Sequence, residues 1–169
     1  MAVHDALTDA SLPHAFGGAI ALAYCTLEPR GTRDLDVNVF VDIKKADSVL
    51  LALPAGVESS AADLKALKQD GQRRLWWGET PVDLFVNYHP LHEQAAKQVV
   101  WVPLAGRDVP VLDGASLVVF KALFDRTKDW ADIEAVAEAS PKQVQAATLI
   151  VKDLLGRSDA ISLRLATLV

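Results

Sequence analysis

Two stretches of this chain alternate apolar and polar side chains residue by residue, and that pattern constrains the fold more than any other feature. In residues 34–42, Leu35, Val37, Val39 and Val41 fall on one side, with Asp34, Asp36, Asn38 and Phe40 on the other. A period of two belongs to a strand, and the apolar side must cover a core. Residues 81–88 repeat the pattern, with Val82, Leu84 and Val86 set against Asp83, Phe85 and Asn87. Residues 74–77 read as a further strand, joined to that run by the turn Gly78-Glu79-Thr80.

The remaining segments alternate with these strands. Helices are predicted over 5–12, ended by Pro13, and over 19–27, opened by Gly17-Gly18 and broken by Glu28-Pro29-Arg30-Gly31. Residues 46–53 form another, closed by Pro54 and Gly56, and 61–69 a shorter one. Residues 92–97 are weakly helical, and 99–103 and 108–111 are short extended pieces. From Ser116 onward the pattern is helical. Residues 116–124 and 129–138 form two helices, with Leu117, Phe120 and Phe124 expected to be buried. Ser140-Pro141 starts a third, Gly156 stops it, and Ser158 or Asp159 caps a last helix reaching Leu168. Strands mixed with helices, followed by a helical final third, define an α/β (α+β) class. The expected organisation is a single domain over 1–169, with a core at about 13–112 and a helical C-terminal part at about 113–169.

Composition narrows the function classes. The 169 residues are 51% hydrophobic and 23% charged, enough to bury a core without disulfides or a structural metal. The one cysteine, Cys25, cannot form an intramolecular disulfide, and its apolar surroundings suit a packing residue better than a nucleophile. A net charge of −5 argues against a general nucleic-acid or membrane coat. No run reaches the roughly 18 apolar residues of a membrane span. The opening residues lack the basic n-region of a signal peptide, so the expectation is a cytoplasmic protein with no membrane partner.

Three features carry chemistry together. Gly17-Gly18 opens a helix, where backbone N–H groups attract phosphate and glycine permits close approach. Asp34 and Asp36 share one strand face, about 6.6 Å apart along the backbone. Asp83 lies on the polar face of its own strand and completes a three-carboxylate cluster if the two strands are neighbours. Carboxylates so placed suit two divalent ions roughly 3.5–4 Å apart, the arrangement used for in-line displacement at phosphorus, and Mg²⁺ prefers such donors. Arg30 and Arg33 flank the acids, and Arg30 is the better placed to meet phosphate.

The run from Phe16 to Tyr24, followed by Arg30-Gly31-Thr32-Arg33-Asp34-Leu35-Asp36-Val37, resembles the DNA-polymerase-β-type nucleotidyltransferases. The Arg-x-Thr-x-Asp-x-Asp form is similar to the toxin-type nucleotidyltransferases of bacterial toxin–antitoxin and abortive-infection systems. The stretch Phe120-Lys121-Ala122-Leu123-Phe124-Asp125-Arg126-Thr127-Lys128-Asp129-Trp130-Ala131-Asp132 resembles the helical Lys…Arg-x-Lys-Asp-x-x-Asp segment of that family. The resemblance implies a mixed sheet flanked by helices and transfer of an NMP from an NTP to an acceptor hydroxyl. It implies Asp34, Asp36 and Asp83 as metal-binding catalytic acids. Gly17, Gly18, Arg30, Thr32 and Lys121 would sit on the nucleotide. The implied acceptor is a tRNA end, a protein or a small molecule, and an antitoxin-type protein is an implied partner.

Plainer roles compete at several positions. Lys121 and Asp125 stand four apart, as in a simple helix-surface ion pair. Asp132 reads as structural. His89-Pro90-Leu91-His92 reads as a solvent loop rather than a zinc site. Lys65, Lys68, Arg73, Arg74, Trp76 and Trp77 could grip a nucleic acid, but a solvated helix face followed by a core strand is preferred. A catalytically silent nucleotide- or partner-binding module of the same fold is the main rival to an enzyme. A glycosyltransferase using Asp-x-Asp is disfavoured by the Gly-Gly pair and by Asp83.

Overall fold

The computed structural model describes residues 1–169. Seven strands form one mixed sheet: β1 (His14–Phe16), β2 (Leu35–Asp42), β3 (Val57–Glu58), β4 (Gln72–Trp77), β5 (Thr80–Asn87), β6 (Val100–Leu104) and β7 (Arg107–Val111), in the order β3-β4-β5-β2-β1-β7-β6. Nine α-helices accompany them: α1 (Ala2–Asp9), α2 (Gly18–Thr26), α3 (Ala46–Ala52), α4 (Ala61–Asp70), α5 (Pro90–Lys97), α6 (Gly114–Phe124), α7 (Thr127–Ala139), α8 (Pro141–Leu155) and α9 (Ala160–Ala166). No helix is long and apolar enough to cross a membrane.

The chain divides into two compact units. Met1–Gly18 with Gly31–Val111 forms one, and Ala19–Arg30 with Leu112–Val169 the other. The first holds the whole sheet. β2 and β5 run parallel, with Asp36 beside Asp83 and Val37 beside Leu84, as a long crossover connection requires. β4 and β5 form a hairpin in which Trp77 faces Thr80, and Gly78 at φ +59° makes the tight turn between them. Val37, Val39, Val82, Leu84 and Val86 are fully buried, together with Val49 of α3 and Leu67 of α4. A capping box between Ser60 and Asp63 starts α4, and Gly71 in the left-handed conformation ends it.

The second unit is helical. Leu117, Val118 and Ala122 of α6 are buried, as are Trp130, Ile133 and Val136 of α7. Val144, Ala147 and Val151 of α8 and Leu165 of α9 complete its core. The Arg164 guanidinium stacks on the Trp130 ring at 3.9 Å.

The structure departs from the sequence pattern in several places. β1 went unpredicted because all three of its residues are buried and show no alternation. β2 is buried on both faces over residues 37–41, so Asn38 and Phe40 are not solvent-facing; Leu35 and Asp36 at its first end are half-buried. β4 is no core strand, since Leu75 alone of its residues is buried. Residues 89–92 are a helix start rather than a loop: the fixed φ of Pro90 suits the first turn of α5, and the His89 ring caps it by accepting from the Leu91 N–H. Phe124, at the end of α6, is exposed and lies under the Arg126 guanidinium.

Candidate functional site

In the sheet-bearing unit the Gly-Gly pair and the Asp-x-Asp pair meet. The antiparallel pairing of β1 with β2 sets Phe16 against Val37, and the Gly17 N–H donates to the Asp36 carbonyl at 2.9 Å. Gly18 is next, at φ +48°, and a Cβ there would lie 1.8 Å from Asp36 Oδ2. Glycine at position 18 is therefore demanded by the Asp36 carboxylate itself as well as by the backbone turn. Gly18→Ala is expected to displace the Asp36 carboxylate and cost about 1–3 kcal/mol. A denaturant melt checks this, and an unchanged midpoint would contradict it.

Asp83 is carried to the same sheet face by the parallel register of β5 with Asp36. Asp34 precedes β2, and the Thr32 hydroxyl donates to its carboxylate at 2.5 Å. Thr32 therefore acts here as the residue that orients Asp34.

A basic residue joins the acids. Arg74 on β4 pairs in register with Asp83. Its Nε and Nη2 donate to the two Asp83 oxygens at 2.7 and 2.6 Å, a bidentate clamp. Arg74 Nη2 also lies 4.0 Å from Asp34 Oδ2. The Asp83 hydrogen bonds and charge, with smaller help from Asp34 and Asp36, hold the guanidinium pKa above its ordinary value. The three acids thus share one face around one guanidinium. They do not close into a tight cluster: no three His, Cys, Asp or Glu side chains in the structure are grouped to hold a metal ion. Like charges keep apart, and a planar guanidinium engages the edge of a carboxylate rather than drawing three oxygens to a point.

The pattern of residues did not single out Arg74 at the acids. The signal was present: a two-residue turn between Trp77 and Thr80 sets Arg74 opposite Asp83, and directly opposed charges in a hairpin attract.

The helical unit holds the other expected residues. Lys121 is buried on α6, and its ammonium donates to Asp132 at 2.6 Å and to Asp129 at 3.5 Å. It makes no pair with Asp125, which instead accepts from Trp130 Nε1 at 2.6 Å. Asp125 is the left-handed cap of α6, so its side chain turns away from the Lys121 turn. Arg30 Nη2 donates to Asp132 at 2.9 Å, so Asp132 bridges two cations, Arg30 and Lys121. Asp129 also accepts from Arg126. Burial opposes ionisation of Asp129, yet the Arg126 hydrogen bond and the Lys121 charge hold its pKa below the ordinary carboxylate value. Cys25 is a poor nucleophile: burial, and then the Asp113 charge, push its thiol up to about 11.

The seven-stranded mixed sheet with its helices is a fold shared with solved structures of ANT(2'')-Ia. The crystal structure of ANT(2")-Ia in complex with adenylyl-2"-tobramycin superposes at a TM-score of 0.63 with 13% identity, covering 90% of this chain and 95% of that one. The solution structure of the antibiotic-resistance factor ANT(2'')-Ia gives 0.58 at 13% identity, covering 90% of this chain and 89% of that one. At such identity the likeness establishes the fold. Neither a protein-family model nor a curated protein matches the chain.

Proposed function

We propose that this chain transfers a nucleoside monophosphate from an NTP to an acceptor hydroxyl. The observation that carries the reading is Asp36, packed against Gly18 and in parallel register with Asp83. That arrangement brings two carboxylates beside a glycine at the start of a helix, where a triphosphate can approach the backbone.

Mg²⁺ takes hard carboxylate oxygens, one or two of them beside substrate phosphates, so Asp34, Asp36 and Asp83 would hold it without forming a three-carboxylate cage. Bound Mg²⁺ would supply charge neutralisation at the phosphates and a lower pKa for the acceptor hydroxyl. The residues of the chain do the rest. Thr32 fixes the rotamer of Asp34. Gly17 ties the Asp36 backbone to the end of β1. Asp83 takes the acceptor proton as the new O–P bond forms and the bond to pyrophosphate breaks. Lys121 and Arg30 are not needed for this reading, because Asp129 and Asp132 engage their charges.

The test is a transfer assay with each of the four α-labelled NTPs. The acceptors are an aminoglycoside, total tRNA and the proteins of a cell lysate, each with and without EDTA. Transfer of label to one acceptor class, lost with EDTA, supports the proposal. The aminoglycoside arm comes first because ANT(2")-Ia was crystallised with an adenylylated tobramycin. A toxin–antitoxin role rests on the 30–37 motif; growth arrest on expression, relieved by Asp36→Asn, supports it. The Arg74 clamp on Asp83 favours a second reading, a silent nucleotide- or partner-binding module. NTP binding without turnover in any arm would establish that reading in place of the first.

A further inference from the structure

Arg74 is a cation set among the three acids of the site, and it is bound to the acid assigned here to the acceptor proton. Its Nε and Nη2 donate to Asp83 at 2.7 and 2.6 Å, and the pair uses both carboxylate oxygens. A carboxylate held edge-on by a guanidinium has its best lone pairs already engaged. The same guanidinium reaches to 4.0 Å from Asp34. Its position is built in, because the two-residue turn after Trp77 and the register of β4 with β5 place Arg74 opposite Asp83. The Arg74 side chain is nevertheless half exposed. A long side chain with that much freedom can leave the carboxylate without disturbing the core.

We propose that Arg74 is a resident counter-cation of the acid site, a positioning residue that competes with a divalent cation for Asp83. In the cation-free site it offsets one of three negative charges and holds Asp83 toward Asp34. A divalent ion gains Asp83 only by releasing the guanidinium, so Arg74 lowers the affinity of the site for metal alone. The inference rests on the proposed function in taking Asp34, Asp36 and Asp83 as the metal-binding acids.

Binding of Mn²⁺, a paramagnetic stand-in for Mg²⁺, tests it without reference to activity. Free Mn²⁺ is titrated by electron paramagnetic resonance against wild type, Arg74→Gln and Arg74→Met, with thermal melts run alongside. Both variants remove the charge, and Arg74→Met supports the test if Arg74→Gln does not fold. The expected result is Mn²⁺ binding about ten- to a hundredfold tighter in either variant than in wild type, the scale of one charge-assisted hydrogen bond. Arg74→Lys, which keeps the charge, is expected to restore weaker binding. Adding Asp36→Asn to Arg74→Gln is expected to abolish the gain, which locates the ion at these acids. Mn²⁺ affinity in both neutral variants equal to that of wild type overturns the competition while leaving the metal-site reading standing. Failure of all the proteins to bind Mn²⁺ at millimolar concentration overturns both.

Discussion

Asp36→Asn is expected to lower nucleotidyl transfer by at least about a hundredfold, the effect of removing one charge-stabilising group from an active site. The fold should survive. The amide has the size of the carboxylate, so the contact with Gly18 and the β2–β5 register are retained. Asp36 is half-buried at the first end of β2, outside the stretch that is buried on both faces. Loss of one negative charge among three also relieves repulsion, so stability should stay within about 1 kcal/mol of wild type. Asp34→Asn should act in the same direction, since the Thr32 hydroxyl can still meet the amide oxygen. The measurement is labelled-NTP transfer by purified protein, with a melt to confirm folding. Wild-type transfer by Asp36→Asn would remove Asp36 from the site.

The second large effect concerns stability. Lys121→Ala is expected to destabilise the helical unit by about 1–3 kcal/mol, the cost of taking one charged partner from each of two buried carboxylates. The Lys121 side chain is 10% exposed, and those of Asp129 and Asp132 are 1% and 6% exposed. Removing the ammonium leaves Asp129 to Arg126 and Asp132 to Arg30, whose side chains are both half exposed.

The pH dependence separates this from a simple packing loss. In wild type the Asp129 pKa is depressed, with Arg126 and Lys121 outweighing burial. Its stabilising contribution is therefore complete above the ordinary aspartate value of about 3.9 and fades as pH falls through the lower folded value. In Lys121→Ala the Asp129 carboxylate loses part of that support, and its protonation relieves buried charge. The deficit of the variant should thus shrink as pH drops from 7 to about 4. Urea unfolding at both pH values reads it. A deficit below about 1 kcal/mol at pH 7, or one that does not change with pH, would contradict the buried-charge account.

Most strands and helices were legible because their signals are local. The alternation in 34–42 and 81–88, the Ser140-Pro141 start and the Gly156 stop act within a few residues of where they stand. β1 was not legible, since three buried residues carry no period. His89-Pro90 misled for a related reason: proline excludes a helix interior yet favours a first turn, and the residues on its C-terminal side decide between the two.

The candidate site divides along the same line. The sequence alone determined that Asp34 and Asp36 share a face, that Asp83 lies on the polar face of another strand, and that a glycine pair precedes the first acids. Each of these is a matter of the geometry of one segment. Only the tertiary structure decided that Gly18 is filled by Asp36, that Arg74 clamps Asp83, and that the Lys121 ammonium is buried between Asp132 and Asp129. These are contacts between residues 8 to 18 positions apart, made by strand register and helix packing. A long charged side chain can reach several partners, and which one it takes is set by the nearest compensating charge in three dimensions. That distance does not exist until the strands have paired and the helices have packed.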